Sequence, residues 1–509
     1  MGKRSLAVIR GTTCCAVLVA SVFCIMIASA SYPMFHYDAQ RTGNVSDHAP
    51  MTAQRSWSTY IGGMVGASPI TADGKVFVSN QFAEWYGGVS GLYCLNETTG
   101  EILWNNSLGG SGGASTAAIQ GDKLFVGSLD GNLYCINAST GETIWNKWVE
   151  HSPAYWGVAS SPLVYENMVV VTTFSNNASN NGTLHVFDFN GAALWNISTG
   201  DTFYYTSPAA AEGYVFFAGN LTNHTLYCAE LSTQNILWRF TTTTQIKSTP
   251  AIWTNTVFFA SEDRLYAVNI ITGTELWNTS FSCSMSSPAV SHGKVYIGSG
   301  TGILHCYNAD NGSEVWTTSV NGPIYSSPVV ANDTVYFGTN TQNGTIYALN
   351  ATEGTLRWSY CLNPPTGSYY TIMSSPAVSD GTLFIGADDG YLHAFSHSVA
   401  TITSFGVEHV SARKGHSFTA RLNITTSSDA VTGWHVVVVS GVNLDGSSLA
   451  GIGTVYLPAN ESVSCMPVLV HVPSTTGEGL YKLYAAVYRL NNYPDVLMDR
   501  EGPVDVTVS

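Results

Sequence analysis

Residues 287–316 read SPAVSHGKVYIGSGTGILHCYNADNGSEVW, and the order of residue types in this stretch decides the fold. It opens on Ser287-Pro288, carries short apolar runs separated by turns rich in Gly, Asn and Asp, and ends on Trp316. The runs alternate with a period of two, as strands do. Gly, Asn and Asp suit the tight turns between them. A helical solenoid would instead repeat apolar residues at i, i+3 and i+4.

The unit recurs. A template SSPxVxxxxVYxGSxDGxLYxxNxxTGxxxW starts near Ser68, Ser115, Ser161, Ser207, Thr249, Ser287, Ser327 and Ser375. Seven repeats end on a tryptophan: Trp104, Trp145, Trp195, Trp238, Trp277, Trp316 and Trp358. The eighth stops at Ser396 without one, and Trp57 stands in the matching context just before the first repeat. Four strands per unit of roughly 40 residues make a propeller blade. The expectation is an all-β, eight-bladed β-propeller over residues 57–396, closed by the segment around Trp57, which leaves no open edge in the circle. Alternating residues such as Leu124, Val126, Leu133 and Cys135 put one side of each strand between blades. The repeated tryptophans read as wedges between blades, since a buried indole removes a large apolar area from water.

Outside the repeats the chain divides further. Lys3, Arg4 and Arg10 precede an apolar run from Thr12 to Ala30 that ends Ala28-Ser29-Ala30. This pattern reads as an export signal over residues 1–30, cut after Ala30, or, uncleaved, as an N-terminal membrane anchor. Residues 31–56 form a lead-in. Residues 401–509 contain about seven short strand patterns, among them WHVVVVSG and GLYKLYAAVYRL, and suggest a small β-sandwich of immunoglobulin-like class.

Composition narrows the function. The formal charge is −15 and only 10% of residues are charged, so the clustered Lys and Arg that nucleic-acid binding requires are missing. Seven cysteines follow the leader (Cys94, Cys135, Cys228, Cys283, Cys306, Cys361, Cys465), an odd number that makes a poor disulfide framework. Four of them occupy one repeat position, filled by Ala348 in a sister repeat, and read as small core residues. Asn-x-Ser/Thr acceptors such as Asn105, Asn278 and Asn423 suggest an exported, glycosylated protein.

The SSP start, the DGxLYxxN segment and the TGExxW end, repeated eight times, resemble the pyrroloquinoline-quinone (PQQ) type propeller repeat, and PMFHYDAQRTG at Pro33–Gly43 resembles the lead-in of such propellers. The resemblance spans about residues 33–396. It implies the propeller fold and leaves function open among quinoprotein alcohol dehydrogenases, an outer-membrane assembly lipoprotein and exported proteins of other roles. The tail is similar, more loosely, to adhesion-type sandwich modules. For the dehydrogenases the resemblance implies PQQ and Ca²⁺ in the channel, a vicinal Cys-Cys disulfide and an aspartate base. The Cys-Cys pair here, Cys14-Cys15, falls in the leader, and the nearest carboxylates to the channel segments are Glu150 and Asp201. Asp130, Asp389, Glu101, Glu142 and Glu275 belong to turns. No HExxH, P-loop or CxxC motif occurs, and His185, His305 and His393 take positions held elsewhere by tyrosine. The expectation is therefore no catalytic, metal or cofactor residue, with a PQQ-dependent dehydrogenase as the alternative.

Propeller topology places the D-to-A and B-to-C connections on one face. The D-to-A loops carry Trp148, Tyr155, Trp156, Tyr204, Tyr205, Lys247, Tyr325, Tyr369, Tyr370 and Met373, expected to ring the channel mouth. Aromatic side chains on a rigid frame serve interfaces and small-molecule sites; equally, they can plug a channel. The function expected is a secreted or cell-surface scaffold that binds a protein or glycan partner through this face, touching membrane only through an uncleaved leader.

Overall fold

The computed structural model describes residues 32–47, 50, 52–86, 88–110, 112–113, 115–149, 158–174, 182–203, 206–219, 223–362, 371–396, 400–407, 411–426, 433–442, 448–457, 462–489 and 497–508. The residues expected to form an export signal, 1–30, lie outside them.

Eight four-stranded antiparallel units form an eight-bladed β-propeller. In blade 6 the strands, from the axis outward, are Ala289–Ser291 (A), Lys294–Gly298 (B), Ile303–Asn308 (C) and Glu314–Ser319 (D). Blade 8 takes its A, B and C strands from Ala377–Ser379, Thr382–Gly386 and Tyr391–Ser396, and its D strand from Arg55–Tyr60, with Trp57 opposite Ala394. The ring is thus sealed by chain from before the first blade. Strands A to C are buried on both faces rather than on one; only D alternates. A blade is flanked on two sides by others, so burial of both faces follows from closure.

Two repeated devices set the geometry. On the axis, the hydroxyl before each repeat's Pro (Ala117 in blade 2) accepts the backbone N–H of the equivalent residue in the preceding blade. The circle runs Ser68 to Thr116, Ser161, Ser207, Thr249, Ser287, Ser327 and Ser375, and back to Ser68, at 2.9–3.1 Å throughout. The second repeat therefore starts in register at Thr116, one residue after the expected Ser115, which instead makes the intra-blade bond from Gly127 N–H.

At the rim, the C–D ladder of every blade skips one residue just before the tryptophan. Such a bulge increases local twist and here turns the indole toward the next blade. Six indole N–H groups donate to a carbonyl at the next blade's C–D turn at 2.9–3.2 Å. At Gly312, φ is +70° and a Cβ would lie 2.5 Å from the Trp277 ring, so the glycine of the TG turn is required twice over. Most of these tryptophans are half-buried; only Trp277 and Trp358 are buried. Cys94, Cys135, Cys228 and Cys306 each lie opposite a tryptophan in the ladder, where sister blades use Val186 or alanine. Burial pushes these thiols up to about 12, and Cys94, Cys135, Cys228, Cys283, Cys306 and Cys361 are free thiols.

The seam between blades 8 and 1 holds a buried acid. Glu97 is 6% exposed, and its carbonyl receives the Trp57 indole. Burial pushes its carboxyl up to about 7, opposed by the Ser379 hydroxyl and reinforced by Asp380 and Asp47.

Residues beyond the propeller form one curled sheet of eight strands around a single apolar core that includes Phe418, Leu422, Val437, Tyr481 and Val506. In sheet order the strands are Ala400–Val407, Ser417–Thr426, Ser462–His471, Ser448–Leu457, Gly433–Val442, Gly479–Arg489, Leu497–Val508 and Ser411–Ala412. Where a sandwich would separate into two sheets, Ser448–Leu457 and Ser462–His471 remain joined through the single pair Ala450 and His471. The immunoglobulin-like arrangement expected from strand count is met only as a further β domain. Strand count does not fix whether a sheet splits or curls.

Trp277→Ala should lower the unfolding free energy by about 3–5 kcal/mol in chemical denaturation, whereas Leu276→Ala, on the bulge and 51% exposed, should stay within about 0.5 kcal/mol. For Glu97, the folded-state pKa of about 7 lies above the ordinary 4.5, so its contribution is intact below that value and is lost as pH rises through 7. The stability of Glu97→Gln relative to the unmutated protein should accordingly grow between pH 5 and pH 8, by up to about 3 kcal/mol, in denaturation curves at the two pH values.

Candidate functional site

The A strands line the central channel, and their inner edges would present unpaired N–H groups. The lead-in supplies partners. Thr71 exchanges two backbone hydrogen bonds with Tyr32; Ile119, Ala210, Ile252, Val290 and Val330 donate to the carbonyls of Pro33, Ala39, Gln40, Thr42 and Gly43. Asp380 N–H of blade 8 donates to the Asp47 carboxylate. Blade 3 is reached by Arg41, whose Nη2 donates to Ser161 and Pro162 carbonyls, while Nε donates to Pro208 of blade 4 and Nη1 to Phe35. One short segment touches all eight blades and plugs one end of the channel.

The plug is tightly coiled, with positive φ at His36, Tyr37, Arg41 and Gly43. Arg41 is fully buried, and burial lowers its pKa to about 10. Asp38 lies near it and accepts both the N–H and the hydroxyl of Thr42, at 2.9 and 2.6 Å. Burial likewise holds His36 down to about 4, which keeps it neutral. This role of PMFHYDAQRTG carries no signal in the repeat pattern, because the segment occurs once.

At the other end the D–A loops lie on the B–C loops. Lys247 N–H donates to Ala260, Cys283 N–H to Glu262, Ile372 N–H to Thr339 and Val65 N–H to Ala387. Two residues before the ring hydroxyl, one repeat position faces the mouth: Gly66, Ala159, Lys247, Tyr325 and Met373 are each partly exposed between buried neighbours, and Met285 is partly exposed next to buried Ser286. Of the residues expected on this face, Lys247, Tyr325 and Met373 hold this repeat position on blades 5, 7 and 8, and Lys247 pairs with Glu262 at 3.1 Å. Trp148 does not ring the mouth: it ends the outermost strand of blade 2 and is 60% exposed at the rim. Tyr155, Trp156, Tyr204, Tyr205, Tyr369 and Tyr370, with Glu150, lie outside the described residues. Gly66, Ala159 and Met285 were missed, although aligning the repeats on the hydroxyl would have found all three.

The carboxylates of this face mostly brace loops. Asp201 is buried and accepts the N–H groups of Thr202 and Asn223. Asp130 accepts the Tyr134 hydroxyl at 2.7 Å, and Asp389 sits 2.9 Å from His393 Nε2 at the matching position. Asp388, unremarked in the sequence, accepts the Thr371 hydroxyl, and burial raises its pKa. Among the described residues no three His, Cys, Asp or Glu side chains gather as metal ligands, whereas Ca²⁺ takes six to eight oxygens. The described residues of the mouth offer thioether, phenol, ammonium and small side chains, a set that does not fit a calcium-bound quinone.

Comparison with known proteins agrees with this architecture. A family model of PQQ-type repeats described as outer membrane protein assembly factor BamB matches residues 88–202, 180–282 and 264–400. The outer membrane protein assembly factor BamB of Yersinia pestis is 32% identical over 156 residues, 28% of this chain and 39% of that protein, so the chain spans well under half the length of this relative. Among solved structures, BamB from Moraxella catarrhalis superposes with a TM-score of 0.52 at 17% identity, covering 67% of this chain and 97% of that one. The quinohemoprotein alcohol dehydrogenase from Comamonas testosteroni gives 0.60 at 12% identity, covering 72% and 80%. Likenesses at such identities carry the fold alone. With the repeat model matching more than half of its residues, the chain belongs to the BamB-type family of PQQ-repeat propellers.

Proposed function

We propose that this protein is a non-catalytic scaffold of the cell envelope that recognises a protein partner through the D–A and B–C face of its propeller. The observation that carries the reading is the mouth ring: one repeat position on a rigid frame, varied from blade to blade among glycine, alanine, lysine, methionine and tyrosine. Varied side chains on an invariant scaffold suit recognition. The plug supports it too, because a channel closed from behind offers a surface rather than a passage. Membership in a family described by an outer-membrane assembly factor favours a protein partner over a glycan. In this reading residues 1–30 direct export, the sequons carry glycans at the cell surface, and the C-terminal β domain is a spacer or adhesive arm.

The test is crosslinking capture from intact envelope with the full chain and with a Lys247→Glu/Tyr325→Ala/Met373→Ala variant. A specific partner band should fall at least ten-fold in the variant while the circular dichroism spectrum and melting curve stay unchanged. The same preparation, given PQQ and Ca²⁺ and assayed for dye reduction with alcohols and sugars, should show no turnover; turnover would replace the scaffold reading with a quinoprotein dehydrogenase, to which the fold is also similar.

A further inference from the structure

The repeat position just after the wedge tryptophan carries a modification signal in alternate blades. Trp104 is followed by Asn105-Asn106-Ser107, Trp195 by Asn196-Ile197-Ser198 and Trp277 by Asn278-Thr279-Ser280. Each is an Asn-x-Ser acceptor for N-linked sugar. The other five blades have no acceptor at this place. Asparagine is depleted from strands, and blades 4 and 6 put Arg239 and Thr317 there instead, so the ladder does not call for it.

Position and exposure set these three apart. They lie on the outermost strands of blades 1, 3 and 5, Ile102–Asn106, Ala193–Ser198 and Glu275–Ser280. Asparagine and serine, two residues apart, point to one side of an extended chain, and all six are exposed. Elsewhere among the described residues the acceptor is obstructed. Asn44 belongs to the plug and accepts the Ser291 hydroxyl at 2.8 Å. Asn223, Asn332 and Asn343 are followed two residues on by buried threonines. Asn96, Asn137 and Asn350 are half-buried, each with its amide oxygen on two backbone N–H groups of a C–D turn. Asn311 and Ser313 are both exposed, but the Asn311 amide oxygen holds the Ser313 N–H inside such a turn. At the rim, Leu103, Leu194 and Leu276 stand two residues before the three asparagines and are 45%, 48% and 51% exposed. A first sugar ring would cover apolar surface that the fold leaves in water.

We infer that Asn105, Asn196 and Asn278 carry N-linked oligosaccharides, one on each of blades 1, 3 and 5, a quarter-turn apart around the eight-bladed rim. The inference rests on the proposed export of the chain and names the acceptors among its sequons. The donor class is an oligosaccharide on a phosphate-linked lipid carrier. The asparagine Nδ2 forms a bond to the anomeric carbon as the bond from that carbon to the phosphate oxygen breaks. The carrier phosphate leaves with the electron pair, the amide gives up one proton, and nothing is oxidised or reduced. Sugars at the rim lie away from the D–A and B–C face, so the recognition surface stays uncovered.

The test is glycopeptide mass spectrometry on the full chain isolated from its own cells, with Ser107→Ala, Ser198→Ala and Ser280→Ala variants made in the same cells. Sugar is expected on all three asparagines, at an occupancy at least ten-fold that of Asn44. Each alanine variant should lose sugar at its own site alone, while Ser107→Thr, Ser198→Thr and Ser280→Thr retain it; unaltered melting curves verify the folds. A bare asparagine at any of the three, equal occupancy at Asn44, or sugar that survives the alanine variants overturns the inference. The location of the chain tells the failures apart. Bare asparagines on protein recovered from the envelope remove this inference alone, whereas bare asparagines on protein retained in the cytoplasm remove the proposed export with it.

Discussion

Every blade hands one backbone N–H to the hydroxyl of the next, and the eighth hands its own to the first. A linear array of such units would end with an unpaired donor and an unpaired hydroxyl; a circle of eight has no ends. The cost of leaving buried polar groups unpaired therefore favours closure independently of the apolar packing between blades. The tryptophans act at the other radius. Hydroxyls near the axis and indoles near the rim fix the wedge angle at two distances, so a blade can neither tilt nor slide without breaking one set. The thiol, alanine or, in blade 3, valine opposite each indole follows from the same constraint, since a compact residue leaves space for the ring.

Closure creates a problem on the axis, because eight inner strand edges face a narrow channel with their N–H groups turned inward. The lead-in resolves it by pairing with them in turn and by placing the Arg41 cation against four carbonyls. The arrangement explains why the segment must precede the blades and also deliver their last strand. It crosses the channel first, passes the blade 7 edge at Asn44–Val45, gives Pro50 as acceptor for the Trp358 indole, and then becomes the outer strand of blade 8. Blade 8 lacks a C–D turn of its own, and Pro50 takes the place that such a turn fills elsewhere. With one end of the axis occupied in this way, recognition is left to the opposite face.

What the sequence revealed divides along the same line. Features written eight times were legible: the blade count, the strand order, and the closing role of Trp57, which stands in the context shared by its seven counterparts. The offset at Ser115 arose because blade 2 replaces the SSP start with Ser115-Thr116-Ala117, and hydroxyl chemistry, not residue identity, sets the register. Features written once were hidden. Nothing in FHYDAQRTG announces a plug, and nothing in DDG tells Asp388, an open acceptor, from Asp389, which braces a turn. The single-sided burial expected for the strands failed because alternation is a rule for sheets with one wet face. The sandwich expected of the tail met a different limit, since strand count says nothing about how far a sheet must curl to enclose its core.

The repeat also indicates where specificity can reside. Hydroxyl, tryptophan, turn glycine and the small residue opposite the indole are committed to the frame, and changes there are paid in stability. The position two residues before the hydroxyl is committed to nothing structural: it accepts Gly66, Ala159, Lys247, Met285, Tyr325 and Met373 on one backbone. Selection on stability would leave such a site free to vary, while selection for a partner would fix a different residue on each blade.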